Sequence, residues 1–379
     1  MHFTESESAG LWLGRIWQPG VGPCVVTLRD GDLLDITSEV APTVRDVMEM
    51  DDPAGYVRDA EGHWIGPMAE IRGRADGEDT PHWLAPCDLQ AVKACGVTFA
   101  QSMVERVIEE QAAGDPQKAE GIRTRVRDII GDSLDQIEAG SAKAAKVKQE
   151  LIALGIWSQY LEVGIGPDAE VFSKAQPLAA VGTGADVGLH PMSKWNNPEP
   201  EVVLAVNSRG EIRGVSLGND VNLRDVEGRS ALLLSKAKDN NASCAIGPMI
   251  RLFDETWSLD DVRRAEIDLR VEGEDGYVLG GHSLMEKISR DPEDLVSQTV
   301  GRHHQYPDGF MLFLGTLFAP TEDRDAPGQG FTHKIGDRVR ISCDGLGALE
   351  NTVRLSTECP PWTFGTAALM RNLAGRHLL

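Results

Sequence analysis

Cysteine is scarce in this chain, and no two of its six cysteines have the C-x-x-C spacing. The absence of that spacing excludes the commonest zinc-binding pattern and gives no sign of a disulfide framework. Scattered, unpaired cysteines are typical of reduced thiols in a cytosolic protein. We therefore expect the cysteines to be structural and the protein to be cytoplasmic.

Long hydrophobic runs are also missing. No stretch approaches the ~20 consecutive apolar residues that cross a bilayer, and residues 1–7 are acidic and contain no apolar core of a signal peptide. The sequence thus predicts neither a membrane-spanning segment nor a secretion signal.

Basic residues are few in comparison with acidic ones. The chain has 37 Lys and Arg residues against 59 Asp and Glu residues, a net charge of -22. Such a surface repels nucleic acid and anionic lipid, so we expect neither as a partner. A small anionic substrate would need a local positive site, which a metal ion together with Arg and Lys could supply.

The length of 379 residues is sufficient for two domains. Short apolar runs over 11–37, with a hairpin signal at Asp30-Gly31, predict a small β-rich N-terminal domain spanning 1–86. From Trp157 onward, short apolar runs separated by glycine-rich turns predict a mostly β catalytic domain, which we place at 87–379. The expected class is α+β and β-rich.

A helical segment is predicted inside the catalytic domain, at about 101–155. Apolar residues recur there at helical spacing in three stretches, which contain Val104–Ile108, Ile122–Ile130 and Val147–Leu154. We expect these helices to form a cap or packing layer.

Two carboxylates stand at the start of the apolar run 202–206. Alternation along a strand places Glu199 and Glu201 on the same face, and Asp220 is a natural third ligand. Three carboxylates without Cys or His suit Mg²⁺, with Mn²⁺ or Ca²⁺ as alternatives, and not zinc. For a lone E-x-E pattern, a solvated strand end is the competing interpretation.

Several motifs follow in a fixed order. They are Glu199-x-Glu201, Asn219-Asp220 with Arg224-Asp225, Lys238 nine residues before Gly247-Pro248, Gly315-Thr316, and 345–351 with the pattern G-x-G-x-L-x-N. From about residue 93 to the C-terminus the chain resembles the fumarylacetoacetate hydrolase family, and the combination is far more specific than any single motif. This resemblance implies a mixed β-fold with a rolled sheet, a metal at its open end, and a homodimer or higher homo-oligomer.

Within that family, the blocks 195–203, 218–248, 305–320 and 362–379 resemble a branch that dehydrates 2-keto-3-deoxy-pentonates. The resemblance implies a Mg²⁺-dependent hydro-lyase that converts 2-keto-3-deoxy-D-xylonate or -arabinonate to 2-oxoglutarate semialdehyde during pentose degradation. Hydrolysis of an acylpyruvate-type carbon–carbon bond, or decarboxylation, on the same metal site is the alternative.

The resemblance also implies roles for single residues. Lys238 is expected to exchange protons, with its pKa lowered by a neighbouring metal, unless it is a surface lysine paired with Asp239. Arg224 either orients a substrate group or pairs with Asp225. Thr316 is expected to bind the substrate carboxylate, unless it is an ordinary strand-end threonine.

One position departs from the hydrolytic members, in which a His and a Glu one helical turn apart activate water. Ser102 stands where that His would be, and Glu105 keeps the position of the Glu. Because serine is no general base near neutral pH, the departure favours elimination, with Ser102 left to bind substrate. Glu105 is expected to be an acid or base for the leaving hydroxyl, unless it is a solvated helix carboxylate.

Two further positions complete the expected site. Glu227 is expected to bind a distal substrate hydroxyl, unless it pairs with Arg229, and Lys174 is expected to face the substrate anion. The adjacent His303 and His304 would point to opposite sides of a strand, so we do not expect both to be metal ligands.

Overall fold

The computed structural model describes residues 10–73, 79–119, 121–122, 137–155, 157–318, 320–326 and 330–379. Sixteen strands lie within these ranges: β1 (Trp12–Gln18), β2 (Gly22–Arg29), β3 (Asp32–Asp35), β4 (His63–Pro67), β5 (His82–Trp83), β6 (Ala91–Gly96), β7 (Glu170–Ala175), β8 (Asp186–Leu189), β9 (Pro200–Val206), β10 (Ile212–Asp220), β11 (Cys244–Leu252), β12 (Glu266–Glu272), β13 (Val278–Leu284), β14 (Phe310–Phe313), β15 (Arg338–Cys343) and β16 (Gly347–Leu355).

Ten α-helices lie in the same described ranges: α1 (Val44–Glu49), α2 (Pro53–Asp59), α3 (Ala100–Ala112), α4 (Ala142–Ala153), α5 (Gln159–Ile165), α6 (Arg224–Glu227), α7 (Leu234–Lys238), α8 (Leu259–Arg263), α9 (Pro292–Thr299) and α10 (Thr366–Gly375). Short 3₁₀ turns occur at Met68–Glu70, Ala231–Leu233 and Met285–Lys287. None of these described helices has the length and apolar character needed to span a membrane. With sixteen strands and ten helices in the described ranges, the protein is β-rich α+β, as the sequence predicts.

The strands form two sheets. The larger sheet has the order β4-β3-β2-β1-β11-β10-β9-β14-β6-β7, with β5 added to β1, and the smaller has the order β13-β12-β15-β16-β8. Most neighbouring strands are antiparallel, but β14 pairs in parallel with β6, and β16 pairs in parallel with β8. Both sheets are therefore mixed.

The central strand β9 is buried along its whole length. Val202 and Leu204 pack in a hydrophobic cluster that also contains Leu269 of the smaller sheet. Val203 on the alternate face packs in a second cluster with Leu13 of the N-terminal strands. This double burial explains why the segment reads as an unbroken apolar run, and it fixes the register of the carboxylates at its start.

The N-terminal hairpin forms where the sequence predicts it. Arg29 on β2 pairs with Asp32 on β3, and the two residues between them have positive φ angles of 52° at Asp30 and 86° at Gly31. A two-residue turn with positive φ at both positions matches the right-handed twist of the hairpin strands. Strand β1 also pairs with β11, so the N-terminal strands extend the larger sheet. A domain boundary near residue 86 stays a prediction.

The predicted helical segment is confirmed at both of its ends. Helices α3 and α4 form there, and Met103, Val107 and Leu151 share a hydrophobic cluster with Leu161 of α5. Most of the middle stretch, at 123–130, lies outside the described residues.

A buried ion pair fastens the chain before β15. The side chain of Asp337 is bound by the Arg324 guanidinium at 2.5 and 2.8 Å and by the Lys334 backbone N–H at 2.9 Å. Burial acts against the charged form, but Arg324 and the neighbouring His333 outweigh it and hold the pKa of Asp337 at about 2. Asp337 is thus a stabilising carboxylate and not a member of the carboxylate cluster described next.

Candidate metal centre

The three predicted metal-binding carboxylates lie together at one end of the larger sheet. Glu199 precedes β9, Glu201 lies on β9, and Asp220 is the last residue of the antiparallel neighbour β10. The backbone N–H of Asp220 donates to the Glu199 carbonyl oxygen at 3.0 Å. One side-chain oxygen from each residue lies within 4.8 Å of the others, and all three residues are buried. The triad predicted from the sequence is therefore confirmed as a cluster, and a solvated strand end is excluded.

The three carboxylates of the triad are not equally neutralised by basic side chains. Lys238 contacts Glu199 and lies 3.0 Å from Asp220, whereas Glu201 has no basic side chain within ion-pair distance among the described residues. Burial, reinforced by the charges of Asp220 and Glu199, raises the pKa of Glu201 well above its usual range. Three oxygen donors with one uncompensated buried carboxylate fit a hard divalent cation.

The Gly-Thr loop supports this carboxylate through its backbone. The Gly315 N–H donates a hydrogen bond of 2.8 Å to Glu201 Oε2. Gly315 has a φ of 99°, and a Cβ atom there would lie 2.0 Å from Thr98 Oγ1, so only glycine fits. Thr316, the next residue, lines the cavity at the triad, and its hydroxyl donates to the Phe318 carbonyl oxygen at 3.1 Å.

The expectation for Lys238 needs a correction. Burial acts to lower its pKa, but the carboxylates of Asp220, Glu199 and Glu227 outweigh burial and raise the pKa above its usual range. Lys238 is thus held as an ammonium group in this arrangement. It lines the cavity and is buried, which also excludes a surface pair with Asp239.

Lys174 does not face the cavity, contrary to the sequence expectation. Its side chain is fully buried, and its ammonium group lies 2.8 Å from Asp220 and donates to the carbonyl oxygen of Lys238. Strand β7 carries this lysine behind the triad, so it neutralises a metal-binding carboxylate and is not available to a substrate.

Helix α3 presents Ser102 and Arg106, four residues apart, to the cavity. The Ser102 hydroxyl donates to the Phe99 carbonyl oxygen at 2.8 Å. Glu105 is buried rather than solvated, but it is not among the cavity-lining residues, and its carboxylate lies 3.4 Å from Arg224. The geometry therefore does not favour Glu105 as a group that touches substrate.

Arg224 is also not among the cavity-lining residues. Its guanidinium lies 2.6 Å from Glu109, donates to the Pro320 carbonyl oxygen at 2.9 Å and stacks 4.5 Å above the Trp195 ring. Asp225 instead accepts hydrogen bonds from Ser193 and from the Lys194 backbone, so pairing between Arg224 and Asp225 is excluded. Arg224 positions α3 and α6 against each other.

Glu227 does line the cavity, and its partner is unexpected. Its carboxylate lies 2.9 Å from Arg106 rather than near Arg229, and burial raises its pKa to about 7 against the opposing charge of Arg106. Arg106 also contacts Glu109 at 2.6 Å and Glu199 at 2.5 Å.

The sequence reasoning missed two charged cavity-lining residues, Arg106 and Glu170. Burial raises the pKa of the Glu170 carboxyl despite the nearby positive charge of Arg106. Helical spacing from Ser102 identifies Arg106, and strand alternation from the cavity-lining Phe172 identifies Glu170, so both signals were present in the sequence. By contrast, His303 and His304 are solvent-exposed and not part of the acidic cluster.

Comparison with known proteins agrees with this geometry. Residues 166–354 match the model of the fumarylacetoacetate hydrolase C-terminal domain. This match identifies a fumarylacetoacetate hydrolase C-terminal domain within the chain.

Two curated relatives have names that refer to sugar-acid dehydration. The chain is 31% identical over 194 residues to a probable 2-keto-3-deoxyxylonate dehydratase of Haloferax volcanii, covering 51% of this chain and 63% of the relative. It is 31% identical over 188 residues to a 2-dehydro-3-deoxy-D-arabinonate dehydratase of Saccharolobus solfataricus, covering 49% and 58%. The chain thus spans about six-tenths of the length of each of these relatives.

The fold has solved counterparts. The structure of a 2-keto-3-deoxy-D-arabinonate dehydratase complexed with magnesium and 2,5-dioxopentanoate aligns with a TM-score of 0.62 at 21% identity, covering 90% of this chain and 98% of that one. At this identity the likeness establishes the fold, which extends beyond the matched domain into the N-terminal part.

Proposed function

We propose that this protein is a metal-dependent dehydratase that converts a 2-keto-3-deoxy-D-pentonate, derived from D-xylonate or D-arabinonate, to 2-oxoglutarate semialdehyde. The observation that carries the proposal is a small cavity that combines the carboxylate triad with Ser102 and contains no histidine among its described lining residues. Hydrolysis of a carbon–carbon bond needs an activated water, and elimination does not. The names of the two curated relatives support the same reaction.

The triad fits Mg²⁺, the metal bound in the complex of the structural neighbour. A divalent cation held by Glu199, Glu201 and Asp220 would supply Lewis acidity, which favours loss of a proton from the carbon next to a keto group. Lys238 holds the carboxylates of Glu199 and Asp220 in place from one side.

Proton transfer falls to groups that line the cavity. Glu170 is the best placed, because it faces the cavity and its raised pKa brings it closer to neutral pH, where a carboxyl can both donate and accept protons. We assign both proton transfers to it: its carboxylate accepts the proton lost from C3 and then, as the acid, donates that proton to the C4 hydroxyl, which departs as water. The hydroxyls of Ser102 and Thr316 are assigned to hydrogen bonds with the substrate.

The proposal is tested by incubating the purified protein with 2-keto-3-deoxy-D-xylonate and following the aldehyde product by ¹H NMR. We expect turnover with Mg²⁺ and none after treatment with EDTA, with recovery when Mg²⁺ is added back. Unchanged turnover in EDTA would contradict the role of the triad. A homodimer in the cytoplasm completes the proposal, and analytical ultracentrifugation tests the dimer.

A further inference from the structure

Arg106 is surrounded by three carboxylates of the protein itself. Its guanidinium lies 2.6 Å from Glu109, 2.5 Å from Glu199 and 2.9 Å from Glu227, and the residue is buried. Its Nη1 atom lies against Glu109 and Glu227 and its Nη2 atom lies against Glu199, so three carboxylates already offset its single positive charge.

The other positive charge in the cavity is equally engaged. Among the described residues that line the cavity, two are basic, Arg106 and Lys238, and five are acidic, Glu170, Glu199, Glu201, Asp220 and Glu227. Lys238 is already bound to Glu199 and Asp220. One divalent cation would offset the charge of the triad and accept one substrate carboxylate, but a second substrate carboxylate would find no basic group in the described lining whose charge is not already offset.

Glu227 lines the same small cavity as the triad, so the far end of a 2-oxo acid bound at the triad can reach it. It binds the same guanidinium that contacts the metal-binding Glu199, so one guanidinium separates the two carboxylates. The C5 group of a pentonate is three carbon–carbon bonds of about 1.5 Å each from C2. This length is comparable to the span across the guanidinium, from one contacting carboxylate to the other. A carboxylate in that position accepts a hydrogen bond from a hydroxyl and repels another carboxylate.

Provided that the proposed function holds, we infer that the Arg106–Glu227 pair makes the far end of the cavity selective for 2-oxo acids with a neutral hydroxylated tail and excludes 2-oxo acids with a second carboxylate. The selectivity arises from a repulsive element rather than from an added attraction. Such an element is an effective way to reject a wrong ligand.

Two compounds of equal length test this inference without turnover. 5-Hydroxy-2-oxopentanoate and 2-oxoglutarate differ only in a hydroxymethyl against a carboxylate at C5, and neither has the C4 hydroxyl that dehydration removes. Binding of each to the Mg²⁺-loaded protein is measured by isothermal titration calorimetry at about pH 8.5, where Glu227, whose pKa is about 7, is ionised. We expect the hydroxy compound to bind at least about tenfold more tightly, since like charges in a desolvated site strongly disfavour the wrong partner.

The variant Glu227→Gln removes the charge and keeps the shape of the side chain next to Arg106. We expect the preference to shrink to about threefold or less, mainly because 2-oxoglutarate binds more tightly. The matched control is Glu110→Gln, which removes the same charge from α3 at a residue that bonds Gln159 and does not line the cavity. It should keep the wild-type preference.

Equal binding of the two compounds to the wild type would overturn the inference, because it would mean that Arg106 leaves Glu227 to take the second carboxylate. An unchanged preference in Glu227→Gln, or an equal loss in Glu110→Gln, would overturn it as well. Pyruvate, which has no tail, separates this failure from failure of the proposed function. If pyruvate does not bind with Mg²⁺, the metal-dependent 2-oxo acid site is wrong, and the inference falls with it.

Discussion

Replacing Glu201 by Gln is expected to stabilise the metal-free protein while abolishing its response to Mg²⁺. Glu201 is the member of the triad that lacks a basic partner among the described residues, and its one described hydrogen bond comes from the Gly315 amide. A neutral amide can accept that bond equally well. The substitution therefore removes repulsion and keeps the Gly315 N–H paired, and the carboxylates of Glu199 and Asp220 can accept from the new amide N–H groups.

The magnitude follows from the spacing of the triad. Two unit charges 4.8 Å apart repel by roughly 3 kcal/mol at an effective dielectric constant of about 20. The charge of Lys238 and a proton on the buried carboxyl offset part of this repulsion. We expect the free energy of unfolding of the metal-free variant to exceed that of the wild type by about 1–3 kcal/mol.

Urea unfolding in EDTA and in MgCl₂ measures both effects. At a Mg²⁺ concentration about 100 times Kd, the wild type should gain roughly 3 kcal/mol from binding. Glu201→Gln should gain almost nothing and show no turnover, and Glu110→Gln is the control for a general loss of negative charge. A variant that is less stable than the wild type in EDTA, or that keeps the Mg²⁺-dependent gain, would refute the reasoning.

Three further predictions concern single side chains. Lys238→Met should lower kcat by at least ~10²-fold, because it removes the cation that holds two metal-binding carboxylates, and near-normal kcat with wild-type substrate binding would contradict its role. Glu170→Gln should lower kcat more than Glu105→Gln, since only Glu170 lines the cavity, and steady-state kinetics of both variants decides between them. Asp337 has a folded-state pKa of about 2 against an ordinary value of 3.8, so its contribution of roughly 2 kcal/mol is present above about pH 4 and lost as the pH falls towards 2. Asp337→Asn should therefore be less stable at pH 7 and should flatten the acid limb of a plot of unfolding free energy against pH, whereas an unchanged acid limb would contradict this assignment.

The parts of the site that follow local periodicity could be predicted from the sequence. Strand alternation places Glu199 and Glu201 together, and the antiparallel neighbour brings Asp220 to them, because β9 is buried on both faces and its register is fixed. The Asp30-Gly31 hairpin likewise depends on two residues and their φ angles.

The sequence was less informative where partners come from distant segments. Glu227 is two residues from Arg229 in the chain, yet its partner Arg106 arrives on a different helix. Lys174 lies on the same face of β7 as the cavity-lining Phe172, as strand alternation predicts. Its ammonium group nevertheless lies behind the triad, where it pairs with Asp220. The choice between Glu105 and Arg106 depends on how α3 is rotated about its axis, which packing against α5 and Trp195 decides.

Product analysis tests the central claim most directly. The purified protein with Mg²⁺ is incubated separately with 2-keto-3-deoxy-D-xylonate and with acetylpyruvate, and the products are identified by NMR. We predict 2-oxoglutarate semialdehyde from the first compound and little or no cleavage of the second, with Ser102→His gaining at most a trace of cleavage. Pyruvate and acetate released from acetylpyruvate by the wild type, at a rate that matches or exceeds dehydration, would contradict the assignment.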